Sequence, residues 1–283
     1  LLVMSATPIP RTLALMIYGD LDVSILNELP PGRQKIDTFA VPSSYHERIY
    51  AFLRKLVAEG RQAYIVCPMV SENDELPDER KAVTAYAEML QKEVFPDLRI
   101  ASIHGKMKPK EKDAVMRAFA AHEIDVLVST TVIEVGVDVP NATVMVIESA
   151  ERFGLSQLHQ LRGRVGRGGE QSYCILMSGE KLSKESRARL DAMCETNDGF
   201  RLAELDLKLR GAGDINGTLQ SGMAFDLKIA NPTLDVQILT VSREAAAEIL
   251  AADPALAHPQ NRGLEALRRR YSGREEIDFS RIS

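Results

Sequence analysis

The sequence predicts an α/β fold, in which a parallel sheet carries helices on both faces and a mostly helical part follows. Short apolar runs alternate with amphipathic helical runs through residues 33–180, as in strands joined by crossover helices. The apolar runs are short, which is typical of strands that are buried on both faces. After about residue 180 the strand-like runs thin out and helical spacing dominates.

Each element has its own signal in the sequence. Strands are expected at residues 36–41, 62–70, 98–104, 125–130, 143–148 and 172–178. Ser44 and Glu47 at capping-box spacing, followed by Gly60, predict the beginning and end of a helix between the first two strands. A second helix is predicted over 109–122, with Pro109 in its first turn.

The remaining segments predict loops, a linker and further helices. The acidic run at 72–79 is expected to form an exposed loop, and the residues around Pro31 a linker. A helix over 183–195 is expected to be capped by Ser183, and a last long helix to run from about 232 to 253. We therefore predict three parts, namely residues 1–32, 33–180 and 181–283.

Composition favours a globular protein without a general attraction to nucleic acid. The 283 residues are 45% hydrophobic and 27% charged, with a formal net charge of −5, so contacts with polyanions must come from local clusters. Cys67, Cys174 and Cys194 lack metal-site or disulfide spacing, which predicts a reducing cytoplasm and no metal site. Because no apolar run reaches the roughly 18 residues of a membrane span, no membrane partner is expected.

The run QLHQLRGRVGRGG, residues 157–169, combines arginines and glycines with helical spacing. Two guanidinium groups on one helix face would suit bidentate binding of phosphate oxygens. Gly163, Gly166 and Gly168 would each weaken a helix interior by about 1 kcal/mol, so a close approach to that backbone is expected. The polar face would consist of Gln157, Gln160, Arg164 and Arg167.

Two other segments place polar or basic residues near predicted strand ends. STTVIEVGVDVP, residues 129–140, sets Thr130 and Thr131 where parallel sheets place their ligands. HGKMKPKEK, residues 104–112, puts lysines before a predicted helix amino terminus, which favours anions. Taken alone, the first is equally compatible with a plain strand and turn, and the second with a solvated basic loop.

In their order along the chain, these segments resemble motifs of superfamily 2 helicases, which implies a RecA-like second motor lobe. QLRGRVGR resembles the last arginine motif of that superfamily. The resemblance implies that Arg164 and Arg167 reach the terminal phosphate of ATP, with Arg167 as the arginine finger. STTVIEVGVDVP resembles the preceding motif, which implies that Gly136 and Asp138 face the nucleotide, Asp138 near its ribose.

The same resemblance implies contacts with the DNA backbone. HGKM resembles an HGxM element that holds one strand, and SATPIPRTLA, residues 5–14, resembles the third motif, which links the ATP state to nucleic acid. The implied DNA-binding residues are Arg11, Thr12, His104, Gly105, Lys106, Thr130 and Thr131.

PIPRTLA and the segment at 199–222 narrow the resemblance to the RecG branch-migration helicases and the transcription-repair coupling translocases. The segment at 199–222 resembles their hairpin and loop for duplex translocation, which implies a coupling role for Gln160, Arg210 and Gln220. Asn216 stands where a leucine is usual. The stretch from FDLKIANP onward resembles the RecG family, and we adopt that interpretation.

The 283 residues contain no GxxxxGK[ST] phosphate loop and no DExH-type acidic box. The resemblance places both in a first motor lobe before residue 1, so this chain is expected to supply half of an ATP and Mg²⁺ site and to be inactive alone. The implied partners are that lobe, an amino-terminal wedge domain and branched DNA such as forks and Holliday junctions. The alternatives are a coupling-translocase lobe and a non-catalytic nucleic-acid-binding module.

Overall fold

The computed structural model describes residues 34–68, 79–130, 138–210 and 236–272, together with Met4, Ser24 and Leu26. These residues belong to two compact units, one containing the described residues up to 210 and the other residues 236–272. The division of the chain at residues 32 and 180 stays a prediction.

The first unit is built on a parallel sheet of six strands in the spatial order β1-β6-β5-β2-β4-β3. All six predicted strands are confirmed, although β2 and β3 are shorter than expected. Their bounds are β1 (Asp37–Pro42), β2 (Gln62–Val66), β3 (Ile100–Ile103), β4 (Val126–Ser129), β5 (Ala142–Ile147) and β6 (Tyr173–Ser178).

Eight α-helices lie within the described ranges. In chain order they are α1 (His46–Ala58), α2 (Glu79–Met89), α3 (Pro109–Ala120), α4 (Leu155–Arg162), α5 (Lys184–Glu195), α6 (Gly199–Arg210), α7 (Val236–Ala252) and α8 (Arg262–Ser272). None of the helices in these ranges is long and apolar enough to cross a bilayer.

Helices cover both faces of the sheet, as the sequence predicts. Alternate residues of β2 point to opposite sides, so that Ile65 joins a core with Leu53 of α1, whereas Tyr64 joins a core with Phe119 of α3 and Leu158 of α4. Both cores consist of residues that are almost fully buried. Burial on both faces is confirmed for β2, β4 and β5, which are buried throughout. It is wrong for β1, which lies at the sheet edge and has Asp37, Phe39 and Ala40 exposed.

The helix ends agree only in part with the sequence. The capping box at Ser44 is wrong, because Ser43–Tyr45 forms a 3₁₀ turn and α1 begins at His46 without a side-chain cap. Gly60 does end this helix region, with φ of +85°. Ser183 caps α5 as predicted, since its Oγ accepts a hydrogen bond of 3.1 Å from the backbone N of Ser186.

Two helical features differ from the sequence predictions. Helix α2 was not predicted, and it continues into a π-helical turn, Leu90–Val94. Helix α4 ends at Arg162, with Gly163 as its carboxyl-terminal cap. Arg164 and Arg167 therefore lie beyond the helix, so the predicted helical face shared with the two glutamines is wrong.

Candidate functional site

A loop of seven residues, 163–169, follows α4 and is called the arginine loop below. Gly166 has φ of +74°, and a Cβ there would lie 2.9 Å from Cγ1 of Ile36. A Cβ at Gly168 would lie 2.8 Å from the backbone oxygen of Pro140. The expected close approach to this backbone is thus confirmed at two of its glycines, which let the loop pack on the residues before β1 and β5.

Arg167 is held at the surface by two contacts. Its Nη1 lies 3.2 Å from Oδ1 of Asp138, and its Nε donates a hydrogen bond of 3.3 Å to the backbone oxygen of Gly163. The Arg167 and Asp138 side chains are 32% and 56% exposed. An ion pair this exposed stabilises the protein by at most about 1 kcal/mol. The guanidinium group of Arg167 can therefore leave Asp138 and bind an incoming anion at little cost in free energy.

The arginine loop and Asp138 share one electrostatic environment with a buried tyrosine of β2. Burial raises the pKa of Tyr64 to about 12, while the charges of Arg167 and Arg164 oppose this rise and that of Asp138 adds to it. Two of the charges that act on Tyr64 are thus positive and one is negative. Two arginines in one loop, with the Arg167 side chain partly exposed, fit the phosphates of a nucleotide.

The described residues do not fit a Mg²⁺ site. Across residues 34–68, 79–130, 138–210 and 236–272, no group of three or more His, Cys, Asp or Glu side chains could hold a metal ion. Mg²⁺ prefers carboxylate, phosphate and water oxygens. The arginine loop supplies positively charged side chains, which suit phosphate groups, and the described residues contain no cluster of carboxylates that would suit a metal ion.

The second set of predicted residues lies where β3 and β4 end side by side, with Ile103 opposite Ser129. His104 and Thr130 follow these strand ends, and both are buried. His104 Nδ1, Ser129 Oγ and Thr130 Oγ1 are buried without a hydrogen-bond partner in the described part of the chain. Leaving such an atom unpaired costs about 1–3 kcal/mol, so three of them in residues at the ends of β3 and β4 make this edge a candidate binding site.

A basic loop leads from this edge into α3. Gly105 and Lys106 are exposed, and the backbone oxygen of Gly105 accepts a hydrogen bond of 2.9 Å from Lys112 Nζ. At the amino terminus of α3, the backbone N of Lys108 donates to Oε2 of Glu111 at 3.0 Å. Lysines and a helix amino terminus together favour an anion beside the unpartnered atoms.

The structure brings the predicted site residues into two sets at opposite ends of the sheet. Asp138, Arg164 and Arg167 lie on the side where β5 begins, because the arginine loop packs on Pro140. The parallel strands β3 and β4 run away from that side, so the set around His104 lies at the other end. That second set consists of His104, Gly105, Lys106 and Thr130.

The other predicted residues have fewer contacts to report. Gln160 is half-buried in α4. Arg210 is the last residue of α6, although its side chain lies outside the described part. Also outside the described residues are Arg11, Thr12, Thr131, Gly136 and Gln220.

Sequence reasoning missed two residues of these sites. Ser129 was taken only as the start of a motif, yet its buried hydroxyl is one of the unpartnered atoms. Arg162, which directly precedes the arginine loop, was given no role, but the residue is only 2% exposed. Its position seven residues after Leu155 and four after Leu158 places it on the apolar stripe of α4, which was an available signal.

Two family models match the chain. Residues 47–169 match the helicase conserved C-terminal domain, and residues 196–283 match the C-terminal part of domain 3 of the ATP-dependent DNA helicase RecG. The second match includes the stretch from FDLKIANP onward, whose resemblance favoured the RecG family over the coupling translocases. The chain belongs to the RecG family.

Individual RecG proteins agree with this assignment. The chain is 51% identical over 257 residues to the ATP-dependent DNA helicase RecG of Synechocystis and 50% identical over 259 residues to that of Bacillus subtilis. These matches cover 90% and 92% of this chain but 30% and 37% of the relatives. The chain thus spans about a third of the length of the RecG proteins it matches.

A solved structure of RecG bound to a three-way DNA junction is similar in fold. It is 48% identical to this chain, with a TM-score of 0.66, and the match covers 84% of this chain and 30% of that one. The six-stranded parallel sheet is therefore the RecA-like fold of a helicase second motor lobe. Both site regions, around His104 and around Arg167, lie inside the helicase domain match.

Proposed function

We propose that the chain is the second motor lobe of an ATP-dependent DNA helicase that remodels branched DNA, through fork reversal and Holliday junction branch migration in recombination and repair. The observation that carries the proposal is the pairing of an exchangeable Arg167 at one end of the sheet with unpartnered polar atoms at the other. The name of the relatives supports the ATP-dependent activity. The three-way junction in the solved RecG structure supports branched DNA as the substrate.

At the nucleotide end, Arg164 and Arg167 would bind the terminal phosphate of ATP. When bound, ATP supplies a phosphoryl group whose transfer to water is strongly favourable. Arg167 would exchange its exposed contact with Asp138 for a bidentate contact with phosphate. Its charge would then offset the charge that develops during transfer, an effect of about 10³–10⁵ in rate for arginine fingers. Asp138 and Gly136 would contact the nucleotide, Asp138 at the ribose.

At the DNA end, the unpartnered groups would bind the backbone of one strand. Thr130 Oγ1 and Ser129 Oγ can donate to phosphate oxygens, and His104 can donate through Nδ1 in the matching tautomer. Lys106 and Gly105 would contribute charge and a close backbone approach. Arg11, Thr12 and Thr131 complete the proposed DNA-binding set on the basis of the motif resemblance.

We assign Gln160, Arg210 and Gln220 to the coupling between the nucleotide end and the DNA end of the sheet. Gln160 lies on α4, directly before the arginine loop. Arg210 ends α6, and Gln220 belongs to the segment that resembles the translocation loop. Closure of the two lobes on ATP and their release after hydrolysis would move DNA by one step per cycle.

The isolated chain is proposed to be inactive, because its sequence contains neither a phosphate loop nor an acidic box. A first motor lobe would supply both, including the Mg²⁺ ligands, and an amino-terminal wedge domain would split branched DNA. We place the activity in the cytoplasm, since the proposed substrate is chromosomal DNA and all three cysteines are unpaired.

The full-length protein tests this function directly. Purified protein is mixed with a synthetic fork or four-way junction, and strand separation is followed with ATP or with a non-hydrolysable analogue. Unwinding of both substrates only with ATP is expected. Displacement of a stalled RNA polymerase without junction unwinding would instead indicate a coupling translocase, and binding without either activity would indicate a non-catalytic module.

A further inference from the structure

Arg162 is the last residue of α4, and its buried side chain reaches into neighbouring elements. Its Nη1 donates hydrogen bonds to the backbone oxygens of Met193, at 2.7 Å, and Thr196, at 2.9 Å. Further contacts join its guanidinium group to Thr38 Oγ1 at 3.4 Å and to His159 Nδ1 at 3.2 Å. One side chain therefore links α4 to β1 and to the carboxyl end of α5.

Packing alone does not explain an arginine at this position. The surrounding core contains Leu158, Leu161 and Leu190, beside which an uncharged side chain of similar length would avoid the cost of desolvation. Burial lowers the pKa of Arg162, although an arginine remains protonated. The ion pairs found in the described ranges do not include it. Its charge is compensated by carbonyl oxygens at the carboxyl end of α5, where the helix dipole favours a cation.

Arg162 also lies between the arginine loop and the pair of helices α5 and α6. On one side, the backbone N of Val165 donates to the backbone oxygen of Arg162 at 3.2 Å, which fixes the start of the arginine loop to the last turn of α4. On the other side, Thr196 follows α5 and begins the short turn into α6. Helix α6 ends at Arg210, the residue assigned to coupling.

We propose that Arg162 is a positioning residue that couples the arginine loop to the helix pair α5 and α6. This inference rests on the proposed function. When the arginine loop shifts with the state of the nucleotide, the planar guanidinium group carries that shift to the carbonyl groups of Met193 and Thr196, and from there to α6. Without the guanidinium group, ATP hydrolysis continues but moves less DNA.

The test compares Arg162→Met and Arg162→Lys with wild type in the full-length protein. The measured quantities are the DNA-stimulated kcat and KM for ATP, and the base pairs unwound per ATP on a synthetic fork. Arg162→Met should retain KM and most of kcat, while the base pairs unwound per ATP fall about tenfold. Arg162→Lys should rescue little, because an ammonium group cannot reproduce the forked geometry. Arg187→Met, an exposed arginine of α5, is the matched control and should behave like wild type.

Each outcome either supports or overturns the coupling role of Arg162. Unchanged base pairs unwound per ATP in both folded variants would overturn the coupling role, as would equal losses of hydrolysis and unwinding. If circular dichroism shows that only the methionine variant is unfolded, the lysine variant decides; if both are unfolded, Arg162 is a structural residue and the proposal is rejected. Failure of the wild-type protein to unwind the fork with ATP would reject the proposed function itself.

Discussion

Among the described residues, Thr130 and Thr143 are two buried threonines with unpaired hydroxyl groups at different positions in the sheet. The hydroxyl oxygen of each is buried without a hydrogen-bond partner in the described part of the chain. Thr130 follows β4 at the end of the sheet that carries His104, whereas Thr143 is the second residue of β5, near the opposite end. Substitutions at these two threonines can therefore separate the stability cost of an unpaired buried hydroxyl from its proposed contribution to DNA binding.

We expect Thr130→Val to stabilise the protein and to weaken DNA binding. Valine has nearly the same shape and no unpaired hydroxyl, so the free energy of unfolding should rise by about 1 kcal/mol. The loss of one hydrogen bond to phosphate should weaken DNA binding by about three- to tenfold. Urea denaturation and fluorescence anisotropy with labelled DNA measure the two effects in the full-length protein.

Thr143→Val is the control for this substitution. It should raise the stability by a similar amount and leave the DNA affinity unchanged, because β5 begins away from the proposed DNA site. If Thr130→Val binds DNA as tightly as wild type, the hydroxyl of Thr130 does not contact the DNA backbone.

Among the elements, the arginine loop depends on glycine at specific positions. Gly168 and Gly169 are adjacent, yet a Cβ at Gly168 would lie 2.8 Å from the backbone oxygen of Pro140, while a Cβ at Gly169 would have no atom within 4 Å. Backbone oxygen cannot rotate aside as a side chain can. The contact between Gly168 and Pro140 thus sets the distance of the loop from β5.

We predict that Gly168→Ala displaces the arginine loop and that Gly169→Ala does not. The first substitution should lower the free energy of unfolding by about 1–3 kcal/mol, and the second should change it by less than about 0.5 kcal/mol. The DNA-stimulated ATPase rate of the full-length protein should fall only in Gly168→Ala. A shift of the backbone at Gly168 also moves the adjacent Arg167 away from its position for binding phosphate. Equal ATPase rates in the two variants would contradict the proposed dependence on loop position.

Strands were more predictable than helix ends, for a physical reason. A strand buried on both faces needs a largely apolar run, which is visible in the sequence at the inner strands β2, β4 and β5. The edge strand β1 is partly exposed, and its run is more polar. Helix α2 was missed because its apolar residues, such as Val83 and Ala87, follow an acidic stretch without a recognisable cap. The spacing of Arg164 and Arg167 fits a helix, but Gly163 and Gly166 end the helix where tertiary contacts favour a loop.

At the scale of the whole molecule, the sheet separates two kinds of chemistry. The cations that would bind nucleotide phosphate lie where β5 begins, and the polar atoms that would bind DNA lie where β3 and β4 end. The proposed separation would explain how a chain with a formal net charge of −5 could belong to a DNA motor. Contacts at one edge suffice, and the remaining surface can stay acidic.

The motifs of the site were visible in the sequence, but its connections were not. Arg167 and His104 were predicted as site residues because their neighbours form recognisable segments. The contact between Arg167 and Asp138 joins residues 29 positions apart, and the contact between Arg162 and Thr196 joins residues 34 positions apart. Pairings over such separations are set by the packing of helices on the sheet, which local spacing does not encode.

The most direct test of the account measures ATP binding and hydrolysis by Arg167→Ala in the full-length protein. If Arg167 is the arginine finger, the DNA-stimulated kcat should fall by about 10³-fold or more, while the Kd for a fluorescent ATP analogue should stay close to that of wild type. Arg187→Ala, which removes an exposed arginine of α5, should leave both values unchanged. Hydrolysis by Arg167→Ala at the wild-type rate would contradict the assignment of the arginine loop to the ATP site.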